Sequence, residues 1–204
     1  MKRLCYGDDA DQGGEKQCSA TPNPWLLFLH LLIAPKLGWR RIKSAGFDLE
    51  DYARRLFYPL LALMAACRFA DKIYYSGVPL WKLLQEALAL FVAGFAGFYL
   101  VSLLARMFLP TVTRIKIDSG FGRIYIMTVM GVLALAMTVN ELLPWLGMML
   151  LVLPIYSTYI LVKGLKPLRV PPDELMPSAI VMTVLCLGVP TAIYYLLRVL
   201  MPPA

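Results

Sequence analysis

Ionisable side chains are scarce within the long apolar blocks of this sequence, so those that do occur there are the first candidates for chemistry. Arg68, Asp71 and Lys72 stand near the end of one block, and Glu86 opens the next. A charge at the centre of a membrane helix costs roughly 2.5–3.5 kcal/mol on insertion scales and less toward the interface. Charges retained there are expected to have partners. Arg68 and Asp71 are three positions apart and share a helix face, so guanidinium and carboxylate can pair, with Glu86 as a further partner. Arg68, Asp71 and Glu86 therefore form a candidate intramembrane polar site, either a pocket open to one side or a structural ion pair with snorkelling. The structural role is the commoner of the two. Asp71, Glu86 and Glu141 are scattered in the sequence rather than paired for acid–base work. A second polar group, Tyr156, Ser157, Thr158 and Tyr159, follows Pro154. Its hydroxyls would satisfy carbonyls that a proline frees, or would line a cavity. Pro154 and Pro190 fall inside apolar blocks and are candidate helix kinks.

Other chemistry is not supported. His30 is the one histidine and has no metal-ligand partner. Cys5, Cys18, Cys67 and Cys186 have neither metal nor redox spacing and read as free thiols. No Walker loop, nucleophile elbow or zinc-protease motif occurs. The expectation is a chain without catalytic residues, metal or cofactor, and not an enzyme.

The elements that must position these residues follow from composition. Of the 204 residues, 59% are hydrophobic and 16% charged, with a mean hydropathy of +0.65. The apolar residues form blocks near the roughly 20 residues a helix needs to cross about 30 Å of hydrocarbon. They do not alternate as barrel strands do. The fold class expected is all-α, a polytopic bundle of five transmembrane helices at about 56–75, 83–107, 124–142, 143–162 and 178–200. Residues 1–23 read as a polar, disordered cytoplasmic tail without the apolar core of a secretory signal. Residues 24–200 read as the transmembrane domain. Its first segment, Pro24 to Pro35, is too short to span and is expected to be interfacial or partly buried, with Trp25 and Trp39 at headgroup level. Lys36, Arg40, Arg41 and Lys43 would then face anionic lipid. Ala89, Ala93 and Gly97 recur every four residues and mark a helix-packing face, for the bundle itself or for an oligomer.

Charge gives the orientation. Of the 20 Lys and Arg residues, 16 lie before the first predicted helix or in the links between helices two and three and helices four and five. Only Arg68, Lys72, Lys82 and Arg198 remain for the other side. The positive-inside rule then puts the N-terminus in the cytoplasm and the C-terminus outside, in a bacterial inner membrane. The net charge of +7 flanks apolar blocks, which argues against nucleic acid as partner.

Three segments carry a family resemblance. They are Pro35-Lys36-Leu37-Gly38-Trp39-Arg40-Arg41-Ile42, the Gly/Ala-rich second block, and Ile155-Tyr156-Ser157 followed by Leu161-Val162-Lys163-Gly164-Leu165. With the five-block layout, they resemble the Ypt-interacting-protein (Yip) family in its compact bacterial form, across most of residues 25–200. The resemblance implies a five-helix bundle with a cytoplasmic N-terminus. Eukaryotic relatives associate with small Rab-type GTPases through a longer cytoplasmic domain. Here the tail is short and no Asp-Leu-Tyr-Gly-Pro motif occurs, so GTPase binding does not carry over. The expected role is a non-enzymatic scaffold or binding protein, with the bilayer, other membrane proteins or a second copy as partners. The alternative is a small transporter or channel subunit using Arg68, Asp71 and Glu86.

Overall fold

A computed structural model describes residues 23–70, 79–112, 120–142, 149–168 and 170–200, and every regular element among them is helical. The tail, Asp71, Lys72 and residues 143–148 lie outside the described residues.

Two short helices come first, α1 (Pro24–Ile33) and α2 (Pro35–Ala45). The Asn23 side chain caps α1 by accepting the Trp25 N–H at 3.1 Å, and Pro24 occupies the first turn, where its missing donor costs nothing. Pro35 ends α1 and starts α2. The two helices fold sharply together because Gly38 has no side chain: a Cβ there would lie 2.5 Å from the Leu31 Cα. Gly46, at φ +59°, terminates α2 in the left-handed conformation that glycine adopts without strain.

A continuous helical run follows, α3 (Leu49–Tyr52), a π turn (Ala53–Phe57), α4 (Tyr58–Cys67) and a 3₁₀ turn (Arg68–Ala70). Pro59 has no N–H to donate to the carbonyl four residues back. The ladder widens just before it, with the Tyr58 N–H reaching the Ala53 carbonyl. The remaining elements are α5 (Leu80–Val112), α6 (Gly120–Leu142), α7 (Met149–Leu165) and α8 (Leu175–Leu200), the last preceded by a 3₁₀ turn at Pro172–Glu174. Each extends a predicted block by a few residues at one or both ends, except that α7 begins after residues 143–148. The first predicted helix starts earlier than expected, at Leu49, because Tyr52, Ala53, Leu56 and Phe57 are all buried.

Three stretches are long and apolar enough to cross a membrane: Leu80–Thr111, Gly120–Leu142 and Pro172–Leu200. In the centre is α6, against which α4, α5 and α7 pack, while α8 lies mainly along α5 and is the most open of the three. The outward surface is apolar as well. Leu84, Leu88, Val92, Phe95, Tyr99 and Leu103 form an exposed stripe on α5, opposite the buried Leu83, Ala87, Leu90 and Val101. A helix apolar on every face suits either a protein core or lipid, and among the described residues this outer stripe is exposed, with Tyr58 of α4 flanking it at Phe95.

The N-terminal hairpin is partly buried, one of its two expected placements. Its apolar face is built into the core: a Cβ on Gly131, midway along α6, would meet Phe28 at 3.5 Å. Trp39 is completely buried within the protein. Its indole N–H, which needs an acceptor wherever it sits, finds the Ile160 carbonyl at 2.9 Å inside the bundle.

Candidate functional site

At one end of the bundle three charged residues meet. Arg68 closes the helical run that contains α4, Glu86 lies in the second turn of α5, and Glu141 is the penultimate residue of α6. Arg68 Nη2 lies 3.1 Å from Glu86 Oε2, and Nη1 lies 2.5 Å from Glu141 Oε2. All three side chains are less than one-fifth exposed, so each charge is largely removed from solvent and compensated by the others. Arg68 and Glu86, predicted to be partners, are thus brought together. Asp71 lies outside the described residues. Glu141, read from the sequence as unrelated to them, makes the shorter contact. Its position at the C-terminal end of a helix parallel to α4 puts it at the depth of Arg68, which closes the α4 run.

From this triad a cavity of about 250 Å³ runs between α4, α5, α6 and α8. Its walls include Leu61, Met64, Leu90, Met130 and Leu187, and its charged end adds Asn140 and Tyr194 to Arg68 and Glu141. The lining is mostly apolar, with Arg68, Asn140, Glu141, Thr191 and Tyr194 as its polar members. Its small residues permit the packing around it. Ala89 and Ala93 are buried within the chain, and a Cβ on Gly97 would meet the Pro190 ring at 3.2 Å. The small-residue face therefore serves the bundle's own α5–α8 contact. Pro190 sits inside α8, and the Thr191 hydroxyl donates to the Leu187 carbonyl at 2.6 Å beside the gap in the ladder. Pro154 likewise lies within α7, which continues through it.

The hydroxyl group after Pro154 does not converge on one cavity. Tyr156 donates to the Leu32 carbonyl at the end of α1, a group left without an intrahelical partner where Pro35 follows. Tyr159 points outward, with the Lys163 ammonium 5.1 Å from its ring centre.

A second junction had no expectation attached to its geometry. Trp39 and Tyr125 pack with ring centres 5.1 Å apart, both against Gly164. Trp39 donates to the Ile160 carbonyl, and the Tyr125 hydroxyl donates to the Leu161 carbonyl at 2.9 Å. A Cβ on Gly164 would stand 2.4 Å from the Tyr125 ring and 2.7 Å from Trp39. Glycine is what lets the two rings reach the helix backbone. Nearby, Tyr52 and Thr128 share a buried hydrogen bond of 2.8 Å. Thr128 commits its one proton to the Ile124 carbonyl at 2.7 Å, so Tyr52 is the donor to Thr128.

Compared with family models, with curated proteins and with solved structures, the chain matches none.

Proposed function

We propose that this chain is a five-crossing integral membrane protein of Yip-like layout that binds an amphipathic, lipid-like ligand and performs no covalent chemistry. Three crossings rest on α5, α6 and α8. The fourth and fifth are the run Leu49–Ala70, about 33 Å long at helical rise, and α7, which at 17 residues is a short span. With five, the N-terminal segment and the two links that together carry 16 of the 20 Lys and Arg residues fall on one side, which supports a cytoplasmic N-terminus and an outside C-terminus.

The observation that carries the ligand reading is the apolar cavity ending at Arg68, Glu141, Asn140 and Tyr194. Its volume is just below the roughly 300–1,000 Å³ typical of small-molecule sites, which favours a single acyl chain over a bulky solute. Native mass spectrometry of the full chain in detergent tests this. A lipid-like adduct should survive gentle delipidation in wild type and be lost when Ala134, on the cavity wall, becomes Phe. Retention by that variant would sink the reading.

One observation favours a second reading as a transporter. Two carboxylates face one guanidinium, leaving a formal charge of −1 at the charged end, and buried ionisable groups in spanning helices commonly mark ion or proton paths. Proteoliposome flux that disappears in Glu86→Gln/Glu141→Gln, with insertion intact, would favour it over binding alone. Other membrane proteins or a second copy would dock on the outward apolar stripe of α5, since the Ala89, Ala93 and Gly97 face is occupied from within.

A further inference from the structure

At the end of the bundle opposite the Arg68 triad, α2 and the close of α7 build a recess of about 440 Å³. Lys36, Arg40 and Lys43 are spaced four and three residues apart and so line one face of α2. Across from them stand Lys163 and Lys166. Among the described residues lining this recess there is no carboxylate. An ordinary solvated surface mixes the two signs, whereas here five cations contributed by elements some 120 residues apart in sequence meet with no counter-charge between them.

The recess is also held in shape. The Trp39 indole, on α2, is locked to the Ile160 carbonyl and Gly164 of α7, which fixes the two walls relative to each other. Lys43 donates to the Pro167 carbonyl and stands 5.6 Å from the Phe121 ring centre, and Lys163 lies over Tyr159. Ser44 gives its proton to the Arg41 carbonyl at 3.0 Å, which leaves ammonium and guanidinium groups as the recess's donors. Cations already positioned lose less freedom on binding an anion than mobile ones do.

We propose that this recess is a phosphate-binding site, in which Arg40 offers its planar fork to two phosphate oxygens and Lys36 and Lys166 supply point charges around the rest. It lies at the end that charge counting assigns to the cytoplasm, where anionic headgroups are concentrated. The phosphate arrives either on a phospholipid headgroup or free in solution. The site is independent of the apolar cavity and would stand if that cavity proved empty.

The test uses the full chain and the variants Arg40→Gln/Lys166→Gln and, as a control at the opposite end, Lys82→Gln/Arg198→Gln. In the lipid arm, each protein is placed in phosphatidylcholine nanodiscs containing a minority of phosphatidylglycerol, and the retained lipid is counted by native mass spectrometry. In the soluble arm, inorganic phosphate is titrated into maltoside micelles and the melting temperature is followed. Wild type and control should retain phosphatidylglycerol roughly tenfold better than the recess variant, or gain stability from phosphate that the variant does not. The first result names a lipid source and the second a soluble one. If wild type and the recess variant behave alike in both arms, with matching melting temperatures without ligand, the site does not exist.

Discussion

At Gly164 an added methyl group has nowhere to go, since the Tyr125 and Trp39 rings already occupy its position at 2.4 and 2.7 Å. Gly164→Ala should lower stability by about 1–3 kcal/mol, as overpacking of a filled site does, and reduce the Tm of the purified chain in detergent. Gly188→Ala is the internal comparison, because nothing lies within 4 Å of its Cβ position. It should leave the Tm unchanged or slightly raised. Arg68 obeys a different logic. Arg68→Met leaves Glu86 and Glu141 facing each other without a cation and should cost about 3–5 kcal/mol. Adding Glu86→Gln and Glu141→Gln removes the stranded charges and should recover much of that loss in the same melting assay; no recovery would mean that Arg68 acts through its packing. The pairing of Arg68 with Glu86 was legible because both lie at the meeting of two consecutive blocks. Glu141, 73 residues from Arg68, was not, since finding it requires the depth of every helix end. The burial of Trp39 was not legible, because an aromatic beside basic residues fits a membrane belt and it is the missing side chain at position 164 that admits it to the bundle.

For single elements, α5 divides its circumference between α4, α8 and the exterior. Gly94 receives Leu61 of α4 and Gly97 receives Pro190 of α8, while among the described residues the stripe from Leu84 to Leu103 is exposed apart from Tyr58 beside Phe95. A photo-crosslinker placed at Ala93 should therefore attach within the same chain, and one at Leu88 should attach to lipid or another chain; intermolecular products from Ala93 would show that α8 does not stay in place. Helices α5, α6 and α8 were readable from block length alone, because nothing interrupts their apolar runs enough to stop them. The run Leu49–Ala70 was less so. Its first turns carry Glu50, Asp51, Arg54 and Arg55, paired at i,i+4 with contacts of 2.5 and 3.1 Å, and these hide the fact that the opposite face is buried. The π turn forced by Pro59 further breaks the 3.6-residue period that a sequence pattern depends on.

Taken whole, the molecule has a basic end and an opposite end that concentrates its buried carboxylates. Lys43 and Lys163 lie at the first, and Arg68, Glu86 and Glu141 mark the second. If the chain crosses five times, a cysteine replacing Lys166 should resist a membrane-impermeant thiol reagent in intact cells, and one replacing Lys82 should react. Cys67 and Cys186 are buried and should contribute no background. Labelling of both introduced cysteines from outside would overturn the orientation. The all-helical class was legible from composition. How deeply α1 and α2 enter the bundle was not, because that depends on Phe28 meeting Gly131 and Trp39 meeting Gly164, contacts between residues more than 100 positions apart.

The Trp39–Ile160 bond, spanning 121 residues, sets an order for assembly. At about 5–20 residues per second a ribosome makes the acceptor roughly 6–24 s after the donor. During that interval the indole has no acceptor, and the Trp39 face of the hairpin waits for α7 although Phe28 can already meet Gly131. The amino-terminal hairpin is thus among the first segments synthesised and among the last to be fully seated, and a nascent chain cut short of Gly164 would leave its Trp39 face open for quality-control proteases to find.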